Sequence, residues 1–311
     1  MADPIDVRDD GTHEHGDEPG WTERVSFAFF DAPSRFGGIA RVEFLPLERR
    51  AEGALTLFVS EGVVATVLAR EETPGGGSSV GRIMLDRHEA LEKWRLRCKD
   101  VALLFPSQRV GGGARGQRTG AASQIDLDVS FEAWTPPAGS VTRDKRVDEL
   151  GFVQVSSSGH FEQAGRYSGR ARVGGRAATI EGSGVRARSW GPLDRTARHV
   201  ERWFAVAFGP RLAFGLRSVS IGDRHLQHGW VHRDGEMRDV RALHAQTEQD
   251  GRGVRALMLG VTDSAGDRYD ITGETLESIP LREGDVHIRQ AMTRYALDGR
   301  EAVGLAEYLE S

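Results

Sequence analysis

The sequence predicts an all-β protein of two packed antiparallel barrel or sandwich domains of lipocalin-like type, and three observations carry that prediction. Glycine is over-represented, at 39 of 311 residues against about 22 at an average usage of ~7%. The glycines separate short segments in the way hairpin turns do. Those segments alternate apolar and polar residues with the period of a half-buried strand. Long runs at helical spacing are nearly absent, so helix is expected to fill less than about a fifth of the chain, below the usual ~30–35%.

In chain order, the clearest strands are Ala54–Val59, Val63–Ala69, Lys93–Cys98, Gln124–Glu132, Gly169–Val173, Trp203–Phe208, Arg211–Ile221, Gln227–Val231, Val254–Thr262 and Tyr269–Glu274. Within the fourth, Ile125, Leu127, Val129 and Phe131 face one side and Asp126, Asp128, Ser130 and Glu132 the other. His88–Trp94 is expected to hold one short helical turn before its strand. Residues 74–79 and 111–123 read as loops by composition. Pro136–Ser140, with the charged run Arg143–Arg146 after it, reads as an inter-domain linker. The expected organisation is therefore an acidic tail over residues 1–19 that packs against nothing, an N-terminal β domain over 20–145 and a lipocalin-like barrel over 146–311.

Composition narrows the function classes. The net charge is −5 and 39% of residues are hydrophobic, with a mean hydropathy of −0.42. The arginines are scattered among acids, so nucleic acid is not an expected partner. No run of 18 apolar residues offers an integral membrane segment, and the N-terminus lacks the apolar core of a secretory signal. The single cysteine, Cys98, fits a reducing cytoplasm. It alternates with Trp94 and Leu96, which makes it a small core residue rather than a nucleophile. No P-loop, no G-x-G-x-x-G after a strand, no G-x-S-x-G elbow and no H-E-x-x-H spacing occurs. No cofactor and no metal are expected.

Two motifs point further. Glu162-Gln163-Ala164-Gly165-Arg166-Tyr167-Ser168-Gly169 fits E-x-x-G-R-x-x-G. Gly184-Val185-Arg186-Ala187-Arg188-Ser189-Trp190-Gly191 fits most of G-x-R-D-x-S-W-G. With Trp21–Phe27, Phe30-Asp31, Gly229–Gly235 and Asp298–Tyr308, they resemble, in order, the hydroxyneurosporene synthase (carotenoid hydratase)/AttH-like family of two-domain lipocalin-like proteins. The resemblance spans about residues 20–310. It implies an N-terminal β-sandwich or barrel packed on a lipocalin-like barrel, and cofactor-free chemistry on apolar, unsaturated molecules. Two positions depart from the pattern: Ala187 stands where relatives commonly carry Asp, and Leu193 where they commonly carry Arg.

Hydration of an alkene needs an acid to protonate carbon, and a buried carboxylic acid can serve. Glu162, Arg186, Glu23 and His228 are the catalytic candidates. Ser189, Trp190, Trp230, Asp31 and Tyr308 are the ligand-binding candidates. Each also has a structural reading: Trp190 as a core anchor, His228 as a strand histidine, Glu162 and Arg186 as an ion pair. Glu307 and Tyr308 are neighbours on one strand, so at most one can line a given cavity. The sequence thus supports a cofactor-independent acid/base enzyme (hydratase, dehydratase, isomerase or cyclase) on a terpenoid, polyene or steroid-like compound. The alternative is a carrier that kept the cavity for an apolar ligand and lost the acid. Arg186, Ser189, Trp190 and Glu162 are expected together at the domain junction, with Glu162 meeting Arg186.

Overall fold

A computed structural model describes residues 4–15, 17–59, 62–72, 79–107, 120–141, 158–193, 198–250, 253–283 and 286–311. It is 78% strand and 3% helix, as the glycine punctuation predicts. The helical part consists of two short 3-10 turns, Val7–Asp10 and Pro46–Glu48.

Eleven strands form the first sheet: β1 (Trp21–Asp31), β2 (Phe36–Leu45), β3 (Arg50–Val59), β4 (Val63–Glu72), β5 (Ser79–Val80), β6 (Ile83–Glu89), β7 (Lys93–Pro106), β8 (Ala121–Ala133), β9 (Ala138–Val141), β10 (Gly159–Val173) and β11 (Arg176–Pro192). Their order is β4-β3-β2-β1-β11-β10-β8-β7-β6-β5, with β9 beside β10. A further pairing of β4 with β7 joins the two sides of the sheet. The path from β4 to β7 therefore closes as a ring of eight strands. Eight more strands follow: β12 (Val200–Ala207), β13 (Leu212–Ile221), β14 (Arg224–Arg233), β15 (Glu236–Asp250), β16 (Gly253–Asp263), β17 (Arg268–Glu283), β18 (Val286–Leu297) and β19 (Arg300–Glu310). They form a closed up-and-down barrel in chain order.

Period-2 alternation assigns each strand two jobs. On β1, Val25, Phe27 and Phe29 fill the first barrel, while Ala28 and Phe30 face the second. On β12, Phe204 and Val206 fill the second barrel, while Trp203, Ala205 and Ala207 face the first. The interface thus has a core of its own, rich in alanine where the two curved walls come close. Cys98 lies in the first barrel core with Trp94 and Leu96, and burial pushes its thiol up to about 12.

Three expectations need correction. The sheets divide between Pro192 and Val200, not at 145/146. Residues 159–192 carry the backbone hydrogen-bonding partners of β1 and β8, so they complete the first ring. Within the expected linker, Ala138–Val141 pairs with β10 as a strand, while 143–146 lie outside the described residues, as do 74–78 and 111–119 of the expected loops. Second, Ala90–Glu92 makes a hairpin turn between β6 and β7, with Leu91 at φ 62°, rather than a helical turn. Third, residues 4–15 do not behave as a free tail: Asp9 and Asp10 are buried, Asp10 at 1% exposure. The 3-10 turn carries a capping box in which the Asp6 and Asp9 side chains bond the turn's backbone reciprocally. That geometry drives Asp10 into the barrel end.

Candidate functional site: a polar groove between the barrels

The sheet register splits the sequence candidates into two groups. On β11 the even positions Arg186, Arg188 and Trp190 point into the first barrel, and the odd positions Ala187 and Ser189 point toward the second. On β10, Gln163 stands opposite Arg186, and Glu162 stands opposite Ala187. Glu162 and Arg186 therefore lie on opposite faces of one sheet. The expected Glu162–Arg186 ion pair does not form.

Arg186 is fully buried and ion-paired with Asp10 from the N-terminal segment. Its Nη1 donates to Gln163 Oε1 at 2.9 Å, and its guanidinium lies over the Trp94 and Phe161 rings at 4.6 and 5.1 Å. Burial, then the neighbouring Arg188, pushes its pKa down. Glu23 is held in the same barrel end by Arg188 Nη2 at 2.9 Å and by the His13 backbone N–H at 2.8 Å. Trp190 stacks on the His13 ring at 3.9 Å and packs with Trp21, Val141 and Phe161. Gly159 lies under that indole, where a Cβ would come within 2.1 Å of the ring. Arg186, Glu23 and Trp190 thus clasp the N-terminal segment onto the barrel end.

The other face holds a groove of about 530 Å³. Glu162, 2% exposed, is its centre. Glu162 Oε1 accepts from Arg217 Nε at 2.9 Å and Nη2 at 2.8 Å, and lies 3.3 Å from His160 Nε2. Oε2 accepts from Trp230 Nε1 at 3.0 Å. Burial alone would raise this carboxyl, but Arg217 and His160 outweigh it and hold it well below the usual carboxylate range. An ionised carboxylate only accepts hydrogen bonds, so His160 donates to it from Nε2. Arg217 also pairs with Glu201 and lies over Trp203 at 4.4 Å.

His228 stands opposite Arg217 across β13 and β14. His228 is exposed, and the groove walls, then Arg217, push the imidazole below its ordinary 6.5. Near neutral pH it is uncharged. Ser189 lies on the groove face between its cross-strand neighbours Arg24 and His160.

Gly215, His160, Glu201 and Arg217 are site residues that the sequence reading missed. Gly215 has to be glycine, since a Cβ there would come within 2.4 Å of both Glu162 Oε2 and Trp230 Nε1. The run Gly215-Leu216-Arg217 on a clear strand, with Arg217 next to the inward Leu216 and so on the outward face, was the available signal for Arg217. Two further candidates lie elsewhere. Asp31 ends β1, eight residues from Glu23 and away from the groove. Tyr308 points into the open end of the second barrel and meets Phe204 edge-on at 5.9 Å. Its neighbour Glu307 faces Arg41 at 2.7 Å and Gln290 at 2.9 Å.

Ala187 now has a structural meaning. It is the cross-strand neighbour of Glu162 on the groove face. An aspartate there would set two carboxylates side by side and raise the pKa of one. With alanine, Glu162 has Arg217 as its strongest electrostatic neighbour and stays ionised.

Two closed barrels with a polar groove between them make a lipocalin-like all-β fold, and solved structures agree on the fold. The chain is similar to an AttH protein of Nitrosomonas europaea, with a TM-score of 0.57 at 11% identity over 96% of this chain and 94% of that one. Kievitone hydratase of Nectria haematococca gives 0.57 at 11% identity, covering 96% and 91%. CghA gives 0.54 at 9% identity, covering 94% and 88%. No curated protein sequence matches. The chain belongs to a domain family of unknown function, DUF7064, whose model matches residues 6–311. Among the described residues no helix is long and apolar enough to cross a membrane, and no group of three or more His, Cys, Asp or Glu side chains is placed to hold a metal ion.

Proposed function

We propose that the protein is a cofactor-independent acid/base enzyme, of hydratase, dehydratase or isomerase type, acting on an apolar unsaturated small molecule held in the inter-barrel groove. The observation that carries this reading is the grouping of two imidazoles, His160 and His228, around one buried Glu162–Arg217 pair. The similarity of fold to kievitone hydratase agrees with it.

The roles follow from the charges. Glu162 is held ionised, so it is not the acid that protonates carbon. It orients His160 and fixes Arg217. His228, uncharged, accepts the proton from a carbon next to a double bond or carbonyl. Arg217 lies beside the position where negative charge develops on the substrate, and the Trp230 ring walls its apolar body. Isomerisation returns the proton to another carbon. Dehydration passes it to the departing hydroxyl, which leaves as water while the double bond forms. Met237 and Trp230 give the groove apolar surface for a terpenoid or polyene body. A cytoplasmic site of action fits the lone buried thiol.

The carrier reading draws on one observation, the apolar Ala187 at the motif's acidic position. One experiment separates the two. The protein is incubated in D2O with carvone, a prenylated phenol and a polyene alcohol, and deuterium uptake into carbon is followed by mass spectrometry. The expected result is uptake into at least one compound, reduced about 100-fold in His228→Ala, the scale of general-base catalysis. Binding with no uptake in the wild type supports the carrier. Uptake unchanged in His228→Ala rules out the proposed base.

A further inference from the structure

The open end of the second barrel holds a second pocket, of about 450 Å³. Three adjacent strands place one side chain each in a row across it. Arg202 on β12 and Arg289 on β18 both stand directly opposite Tyr308 on β19. All three share the face that carries Phe204, Ala291 and Ala306 into the barrel core. With strands about 4.8 Å apart, the row offers guanidinium, phenol and guanidinium over roughly 10 Å.

One feature of the row is unexplained by the fold. The Tyr308 hydroxyl is buried with no hydrogen-bond partner among the described residues, although buried hydroxyls are nearly always bonded. Arg202 has no carboxylate partner among the described residues and lines the pocket. Burial raises the Tyr308 phenol above its ordinary range in spite of both arginines, so it stays protonated and has a hydrogen to donate. Arg289 is already hemmed in: its guanidinium packs on Gly253, its Nη1 lies 3.4 Å from Ser278 Oγ, and Asp250 acts on it electrostatically. Arg202 is therefore the main anchor.

We infer that this pocket binds the carboxylate of a small amphipathic acid, with Arg202 and Tyr308 holding the two oxygens and Arg289 adding charge from the far side. A monoanion fits the local charge better than a phosphate dianion, since Asp250 and Glu310 lie at the same barrel end as the two arginines. Val200, Val254 and Pro280 supply apolar wall around the row, which suits an alkyl or ring-bearing acid. The pocket is separate from the inter-barrel groove and does not depend on the activity proposed there.

Calorimetric titration with decanoate, decanol and inorganic phosphate tests this. Decanoate is expected to bind at least about tenfold more tightly than decanol, with Arg202→Gln and Tyr308→Phe each weakening decanoate about tenfold, as loss of a hydrogen bond to a charged group does. Without ligand, Tyr308→Phe is expected to melt higher than wild type, because it removes an unbonded buried hydroxyl. Decanoate is also expected to leave any binding of carvone in the groove unchanged. The inference is overturned if decanol binds as well as decanoate, if phosphate binds as well, or if neither variant changes decanoate affinity. It is also overturned if Tyr308→Phe melts lower, or if decanoate displaces carvone.

Discussion

Asp10→Ala is expected to lower stability by about 3–5 kcal/mol, the scale on which removing one partner of a buried ion pair destabilises a protein. The guanidinium of Arg186 is fully enclosed in the first barrel end, and Asp10 is its only acidic contact among the described residues. Asp10 also accepts from the Leu91 backbone N–H at 2.6 Å and Trp94 Nε1 at 3.0 Å. Alanine leaves all three donors unanswered. Urea denaturation at pH 7 measures the loss. A second variant, Asp10→Ala with Arg186→Met, is expected to recover most of it, because an apolar side chain of similar length suits the ring-lined site better than an unpaired cation does. A single variant as stable as the wild type would mean that the N-terminal segment does not close this barrel end.

Arg217→Gln is expected to cost a similar amount at neutral pH and to invert the acid dependence of stability. In the wild type, Glu162 is held below its ordinary value of 4.5. Its ionised form is favoured by folding, so its contribution is present above about pH 4.5 and is lost as pH falls through the lowered folded value. Without Arg217, burial becomes the dominant influence on Glu162 and raises it above 4.5. The contribution then changes sign, and stability falls as pH rises through the raised folded value. Glu201 loses the same partner, while Arg24, His199 and Arg41 remain near it. His160 still bonds Glu162, and His228, opposite position 217, loses a nearby cation. Between pH 5 and 8 Glu162 therefore gives the wild type no slope and the variant a falling one, so the two stability curves should diverge as pH rises. Parallel slopes would show that Arg217 is not what keeps Glu162 ionised.

The fold was largely legible because period-2 alternation and glycine spacing are local signals. Ile125 through Glu132 and Trp94 through Cys98 form strands where the pattern placed them, and Trp203 through Phe208 does so up to Ala207. Which barrel a strand joins is not local. Residues 159–192 read as the start of the second domain, yet they complete the first ring, because their partners on β1 lie more than a hundred residues earlier. The site was half legible for the same reason. Glu162, His228, Trp230 and Ser189 were identified and share the groove face. Arg186 and Trp190 sit in the same motif as Ser189 but belong to the opposite face, which alternation along β11 alone dictates. Arg217 carries no motif. Its importance comes from where β13 crosses Glu162, and only the packing of one barrel on the other reveals that.

Small molecules are expected to meet this protein at Trp230 in the groove and not at the Trp190 end of the motif. The chain has six tryptophans, each with one indole N–H that reports separately in a nitrogen-15 correlation spectrum. Titration with carvone is expected to shift the Trp230 indole signal, bonded to Glu162, and that of Trp203 beneath Arg217, while Trp190 and Trp21 stay fixed in the N-terminal clasp. Movement of Trp190 with Trp230 unchanged would contradict the account and place the site inside the first barrel.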